Sequence, residues 1–307
     1  MNQATKLGLK LLASLVLIAL LARLVDLPKL GATLVGVDLG LVGAAAALFL
    51  GGQAINALKW LWIGRALALT AGGWTYLRLY GMGLFLSIFL PGSTGGDLGR
   101  AVLLARSGQP GWAATYSVLA DRYSGMLFLL VLSSLAAVGI AAYRDIAPWL
   151  WGLTVVVAAV WLLLGWASRQ FGRFAGKWGR YLGPVAAWEA DLRARPNLVR
   201  IGASSLLIQM VNWLVLVVLA AALHLQVGAG ALLVAYGLIT LASLAPLSLN
   251  GLGIREGGYV LLLGAVGVPA EQAVSFGILW FFVFLVTGLV SGVASWLDPA
   301  KQPLKAG

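Results

Sequence analysis

Six stretches of this 307-residue chain, near 7–26, 38–64, 112–142, 148–168, 200–223 and 271–297, are strongly apolar. Each reaches the roughly 20 residues that a helix needs to cross a bilayer. Hydrocarbon offers no partner to a backbone N–H or C=O, so a spanning segment must satisfy these groups internally, as a helix does. The composition agrees: 61% of the residues are hydrophobic, 10% are charged and the mean hydropathy is +0.95. Water-soluble domains lie far from these values. The expected class is an all-α polytopic membrane protein. There is no cysteine, which excludes disulfides and thiolate metal sites. The single histidine, His224, reads as an interfacial residue and leaves no histidine set for a metal or a catalytic triad. No metal or cofactor is expected.

The basic residues orient the helices. The net charge of +11 reads as cytoplasmic loops facing anionic lipid rather than as a nucleic-acid surface. The loop 169–200 holds Arg169, Arg173, Lys177, Arg180, Arg193, Arg195 and Arg200 against only Glu189 and Asp191. The positive-inside rule puts it in the cytoplasm. Counting outward from it places both termini inside, with Lys6, Lys10, Lys301 and Lys305, in a cell inner membrane. No small-residue cleavage site follows the first apolar run, which therefore reads as a retained helix. Arg65, Arg78 and Arg106 also fall inside. Lys59 does too, its long stem expected to snorkel to the cytoplasmic interface.

Two motifs break the apolar pattern in the same way. Pro91-Gly-Ser-Thr-Gly-Gly-Asp-Leu-Gly-Arg100 and Pro246-Leu-Ser-Leu-Asn-Gly-Leu-Gly-Ile-Arg-Glu256 each combine a proline, a glycine cluster, a carboxylate and an arginine. Proline removes a backbone donor and glycine weakens a helix, so both should interrupt helices within the membrane. Arg78 and Arg106 share one side, yet the apolar run from Tyr80 to Leu90 is too short to cross and return. A re-entrant hairpin over 79–106, breaking at Pro91, satisfies this. The segment 231–267 reads as a second one, breaking at Pro246.

The echo extends further. Gln53 and Asn56 recur as Gln209 and Asn212, and Arg100 recurs as Arg255. Residues 1–145 and 146–307 then form two repeats of helix, helix, hairpin, helix with opposite topology. In such folds the two hairpin tips meet near the midplane around a substrate.

Charges at membrane depth cost about 2.5–3.5 kcal/mol each on insertion scales, so they persist paired or beside a wet cavity. Asp97 and Arg100 sit one turn apart, Arg255 and Glu256 are adjacent, and Asp121-Arg122 lies within the third long apolar stretch. Two readings stay open. These are three internal salt bridges, or they are a central site in which Arg100, Arg122 and Arg255 face an anionic head group. In the second, Asp97, Asp121 and Glu256 moderate the binding or carry protons. Gly95 and Gly96 at one tip, and Asn250, Gly251 and Gly253 at the other, would add amide donors, as helix N-termini do for anions. Gln53, Asn56, Gln209 and Asn212 either tie neighbouring helices together or line that site.

The segment 169–197 reads as a cytoplasmic interfacial helix over its first turns. At 100° per residue Arg173, Lys177 and Arg180 share one face and Trp178 stands on the next, which suits cations on phosphates and aromatics in the acyl boundary.

Pro91…Gly95-Gly96-Asp97…Arg100, the pair Asp121-Arg122, and Pro246…Asn250-Gly251-Leu-Gly253-Ile-Arg-Glu256 resemble motifs of the transmembrane domain of lysylphosphatidylglycerol synthases and related flippase-like proteins. The resemblance covers nearly the whole chain. It implies a lipid translocator whose cargo is an anionic phospholipid or a polyprenyl-phosphate-linked lipid. The full-length synthases add a soluble domain that loads an amino acid onto lipid. No counterpart follows the last helix here, so the resemblance implies no lipid aminoacylation by this polypeptide alone. No nucleotide-binding motif is present, since 92–96 lacks the Lys-Ser/Thr of a P-loop. Two other functions stand beside translocation: a scaffold that partners a separate lipid-modifying or glycosyl-transferring enzyme, and an intramembrane enzyme acting on a lipid phosphate.

Overall fold

A computed structural model describes residues 26–90, 95–171, 195–244 and 253–297. In chain order its helices are α1 (Leu27–Val35), α2 (Leu39–Ala66), α3 (Gly73–Phe89), α4 (Gly95–Arg106) and α5 (Gly111–Val138). A 3-10 turn at Ala141–Tyr143 leads to α6 (Ala147–Phe171), α7 (Arg195–Ala222), α8 (Ala229–Ala242), α9 (Ile254–Gly264) and α10 (Ala270–Trp296). No strand occurs among the described residues. The first apolar stretch as far as residue 25 lies outside them, as do Pro91, Pro246, Asn250, Gly251, Arg173, Lys177, Trp178, Arg180 and both termini.

Five helices, α2, α5, α6, α7 and α10, are long and apolar enough to cross a membrane. They coincide with five of the six stretches expected from the sequence. Their outer faces are apolar, as contact with lipid requires: Leu162 on α6 is 69% exposed, and Val155, Val156 and Leu163 beside it are also open. The α1 helix was not expected. It starts on Asp26, whose side chain accepts from the Lys29 N–H, with Pro28 in its first turn.

The remaining helices are short. α3 has 17 residues, α4 has 12, α8 has 14 and α9 has 11. At about 1.5 Å per residue these lengths fall below the roughly 30 Å hydrocarbon thickness. α3 packs on α4 and α8 packs on α9, each pair joined through one of the segments in which the sequence breaks. Close packing explains the glycines. A Cβ on Gly96 would lie 1.9 Å from Ser87 Oγ and 2.2 Å from the Gly83 carbonyl.

Local geometry recurs along the chain. Among the described residues α2 and α7 form the most extensive helix pair and run antiparallel: the Asp38 N–H donates to the Ala222 carbonyl at 3.0 Å, and Gly52 meets Val211 midway along. Both helices end on a non-glycine residue in the left-handed conformation, Ala68 at φ 56 and His224 at φ 54. The next residue closes each end, the Leu69 N–H donating to Gly64 and the Leu225 N–H to Ala220, both at 2.9 Å. This is the Schellman pattern of helix termination, repeated 156 positions apart. Gly81 on α3 faces Ser295 of α10, and Gly237 on α8 faces Ser133 of α5, again 156 positions apart. Left-handed glycines follow α4 and α9, at Gly108 and Gly267, with Pro110 and Pro269 capping the next helix.

Candidate functional site

A cavity of about 230 Å³ lies where both short-helix pairs meet the long helices. Gln53 and Asn56, near the middle of α2, form one wall with Tyr80 and Ser87 of α3. Gly96, Asp97 and Arg100 enter from the start of α4, and Arg122 from the middle of α5. The lining is completed by Asn212 of α7, Tyr236 and Thr240 of α8, Arg255 and Tyr259 of α9, and Trp280 of α10.

One chain of ion pairs runs through the first half. Lys59 Nζ lies 2.9 Å from Asp121 Oδ1, and Arg100 Nη2 lies 2.8 Å from the other oxygen of the same carboxylate. Arg100 continues to Asp97 at 3.0 Å, and Asp97 also accepts from Arg122 Nε. Spacing produces this: Asp97 and Arg100 are one helical turn apart on α4, whereas Asp121 and Arg122 are adjacent on α5 and point in different directions. Asp121 turns into the protein and Arg122 turns to the cavity. Arg100 is also held between the rings of Trp60 and Tyr80, 4.9 and 4.7 Å from their centroids. Such contacts strengthen when desolvated.

The expectation that Lys59 snorkels to the interface is corrected here. Its side chain is 2% exposed, and its ammonium also donates to the Asp121 carbonyl at 3.0 Å. Asp121, clamped between two cations, holds it inside more strongly than the interface could attract it. Lys59 is a member of the site that spacing alone did not reveal. Its place one turn from Asn56 was the available signal.

The second half is built differently. Arg255 lies over the rings of Trp280 and Phe281, at 5.3 and 5.0 Å, and its Nε is 3.4 Å from Glu256. The other Glu256 oxygen accepts the Gly253 N–H at 2.7 Å, closing a cap on the first turn of α9. Glu256 thus caps a helix, and the Gly253 amide is already engaged. Arg255 Nη2 is buried and has no partner. Arg122, by contrast, keeps 53% of its side chain accessible despite its pairing with Asp97.

The carboxamides divide in the same manner. Gln53, Asn56 and Asn212 line the cavity, and the Asn212 side-chain oxygen has no partner. Gln209 donates to the Gly125 carbonyl at 2.8 Å and stands behind the wall, as do Asp121 and Glu256. Gly95 and Gly96 open α4 beside Asp97, with Gly95 packed on Leu90. Sequence reasoning passed over the aromatic residues that frame the arginines, Trp60, Tyr80, Trp280 and Phe281. Aromatics at helical spacing in an apolar chain carry no local sign of which cation they will meet.

The arrangement presents guanidinium donors from both halves, carboxamides of which the Asn212 oxygen is unpartnered, and aromatic walls around one cavity. It can hold an anion with a hydroxylated or otherwise polar neighbour. Fold and site together define a polytopic helical membrane protein with a charged internal cavity. The description "Lysylphosphatidylglycerol synthase TM region" matches residues 8–292, and the chain belongs to that family. No curated protein and no solved structure matches it.

Proposed function

We propose that this chain is a lipid translocase of the inner membrane, carrying an anionic phospholipid or polyprenyl-phosphate-linked lipid with its head group in the cavity. The tails remain in the surrounding lipid. The observation that carries this reading is the pair of available guanidiniums in one cavity, Arg122 half-exposed on α5 and Arg255 with an unpartnered Nη2 on α9. A buried donor without a partner is costly, so a ligand that accepts from it is favoured. On binding, the phosphate takes Arg122 from Asp97 and reaches Arg255.

The two short-helix pairs act as re-entrant hairpins, and the halves 1–145 and 146–307 form an inverted repeat. The antiparallel α2–α7 pair and the matched helix ends at Ala68 and His224 support this. So does the exchange of partners, α3 packing on α10 and α8 on α5. Rocking one half against the other would expose the cavity to each side in turn. Both termini lie in the cytoplasm. A separate lipid-modifying enzyme is a proposed source or consumer of the cargo.

The test is head-group accessibility in proteoliposomes with labelled phospholipids and a polyprenyl phosphate, comparing wild type with Arg255→Ala and Asp97→Asn. Movement that depends on these residues is the expected result. Full-rate movement in a folded Arg255→Ala protein would remove the central site from the mechanism. A chemically altered lipid recovered from the vesicles would replace translocation with catalysis.

A further inference from the structure

The cavity has a definite charge. Its wall and the ion pairs directly behind it hold four cations, Lys59, Arg100, Arg122 and Arg255, against the three carboxylates of Asp97, Asp121 and Glu256. One positive charge is left over. The sequence of 91–94 and 245–252, outside the described residues, contains no ionisable residue. Lys59 and Arg100 share Asp121, and Arg100 Nη1 has no hydrogen-bond partner; Arg255 meets its carboxylate only at 3.4 Å through Nε and leaves Nη2 unpartnered.

The polar lining has its own demand. Gln53, Asn56 and Asn212 present carboxamides and the Asn212 oxygen lacks a donor, while the Tyr236 hydroxyl is hydrogen-bonded to Thr240 and Asn212. A hydroxyl both donates and accepts, so it satisfies a carboxamide in either orientation, whereas a quaternary ammonium offers no N–H. The volume of about 230 Å³ is that of a head group rather than of a whole lipid.

We infer that the cavity selects lipids joined through a single phosphodiester, one negative charge, to a neutral hydroxyl-bearing head group. This rests on the translocase reading's placement of the head group in the cavity. One phosphodiester neutralises the excess charge, and its neighbouring hydroxyls meet the carboxamides. A zwitterionic head group leaves the loaded cavity positive. A phosphate monoester, which carries about 1.5 to 2 negative charges at neutral pH, overshoots toward the negative. Phosphatidylglycerol and polyprenyl-monophosphate-linked sugars share the selected chemistry.

The test is lipid retention on the purified protein, read by native mass spectrometry from micelles. The micelles carry equal amounts of dioleoyl-phosphatidylglycerol, dioleoyl-phosphatidylcholine and dioleoyl-phosphatidic acid. A fourth arm replaces phosphatidylglycerol with a polyprenyl-phosphate-linked hexose and distinguishes the two lipid sources. Wild type should retain the phosphodiester lipid about tenfold over the other two, since a half-exposed charge lies between the surface and buried limits. Asp97→Asn raises the balance by one positive charge, and its preference should move to phosphatidic acid. Arg255→Gln lowers it by one, and its preference for phosphatidylglycerol over phosphatidylcholine should fall toward one. A shift of preference toward a different lipid is not a consequence of unfolding. Equal retention of the three lipids by wild type, no retention at all, or one ranking shared by wild type and Asp97→Asn would overturn the inference. Head-group transfer in proteoliposomes is read separately. Transfer absent with the charge ranking intact removes the translocase reading alone, and transfer present without the ranking removes this inference alone.

Discussion

Lys59 Nζ and Asp121 Oδ1 lie 2.9 Å apart, and neither side chain is more than 3% exposed. Asp121 is at the same time 2.8 Å from Arg100, so one carboxylate holds two buried cations. Removing one partner of a buried pair leaves an uncompensated charge and costs about 3–5 kcal/mol. Asp121→Asn strands Lys59 and leaves Arg100 with Asp97 alone, whereas Lys59→Met leaves Asp121 paired with Arg100. Thermal unfolding in detergent should therefore rank Asp121→Asn well below Lys59→Met, and a reversed order would show that the pair does not organise the interior.

Arg122 and Arg100 should separate function from stability. Arg122→Gln removes a half-exposed partner of Asp97, so its cost in stability should stay within about 1 kcal/mol. Its cost in head-group transfer should reach about tenfold or more, because it supplies an accessible guanidinium to the cavity. Arg100→Gln should do the opposite and lower the unfolding temperature first, since it leaves Asp121 and Asp97 short of a buried partner. Parallel melting and transfer assays on the two variants check this.

Gly96→Ala tests the packing of α4 on α3. The added methyl would meet Ser87 Oγ and the Gly83 carbonyl well inside contact distance, and a backbone carbonyl cannot move aside cheaply. Overpacking of this kind costs about 1–3 kcal/mol or more. Gly51→Ala, with nothing within 4 Å of its Cβ, should melt like wild type and serves as the control.

The matched helix ends make a symmetrical prediction. Ala68 and His224 hold left-handed conformations that cost a non-glycine residue about 1–2 kcal/mol, part of which glycine returns as chain entropy. Ala68→Gly and His224→Gly should each raise the unfolding temperature slightly and by similar amounts. A gain at one site and a loss at the other would deny the equivalence of the two ends.

Much of the fold is legible because its signals are local. Five of the long apolar stretches became α2, α5, α6, α7 and α10, since backbone hydrogen bonding in hydrocarbon leaves a helix as the outcome. Helix α3 ends at Phe89 and α8 at Ala242, just ahead of the two proline- and glycine-bearing motifs, whose prolines lie outside the described residues. The Gln-x-x-Asn pair recurs 156 positions apart, and so do the left-handed helix ends at Ala68 and His224. The α1 helix was not anticipated, because its nine residues are too few to stand out beside the spans.

Charge pairing was legible only in part. Asp97 with Arg100 and Arg255 with Glu256 are neighbours along the chain, so spacing placed them together. That Asp121 would face Lys59, that Arg122 would reach Asp97, and that Arg100 would sit between Trp60 and Tyr80 follow from where α2, α3, α4 and α5 cross. Sequence patterns report which residues must leave water and which backbone must break, because those depend on each segment's own chemistry. Which cation stays free, which carboxylate caps a helix and what charge the cavity retains depend on helices far apart in the chain. Only their packing decides those partners.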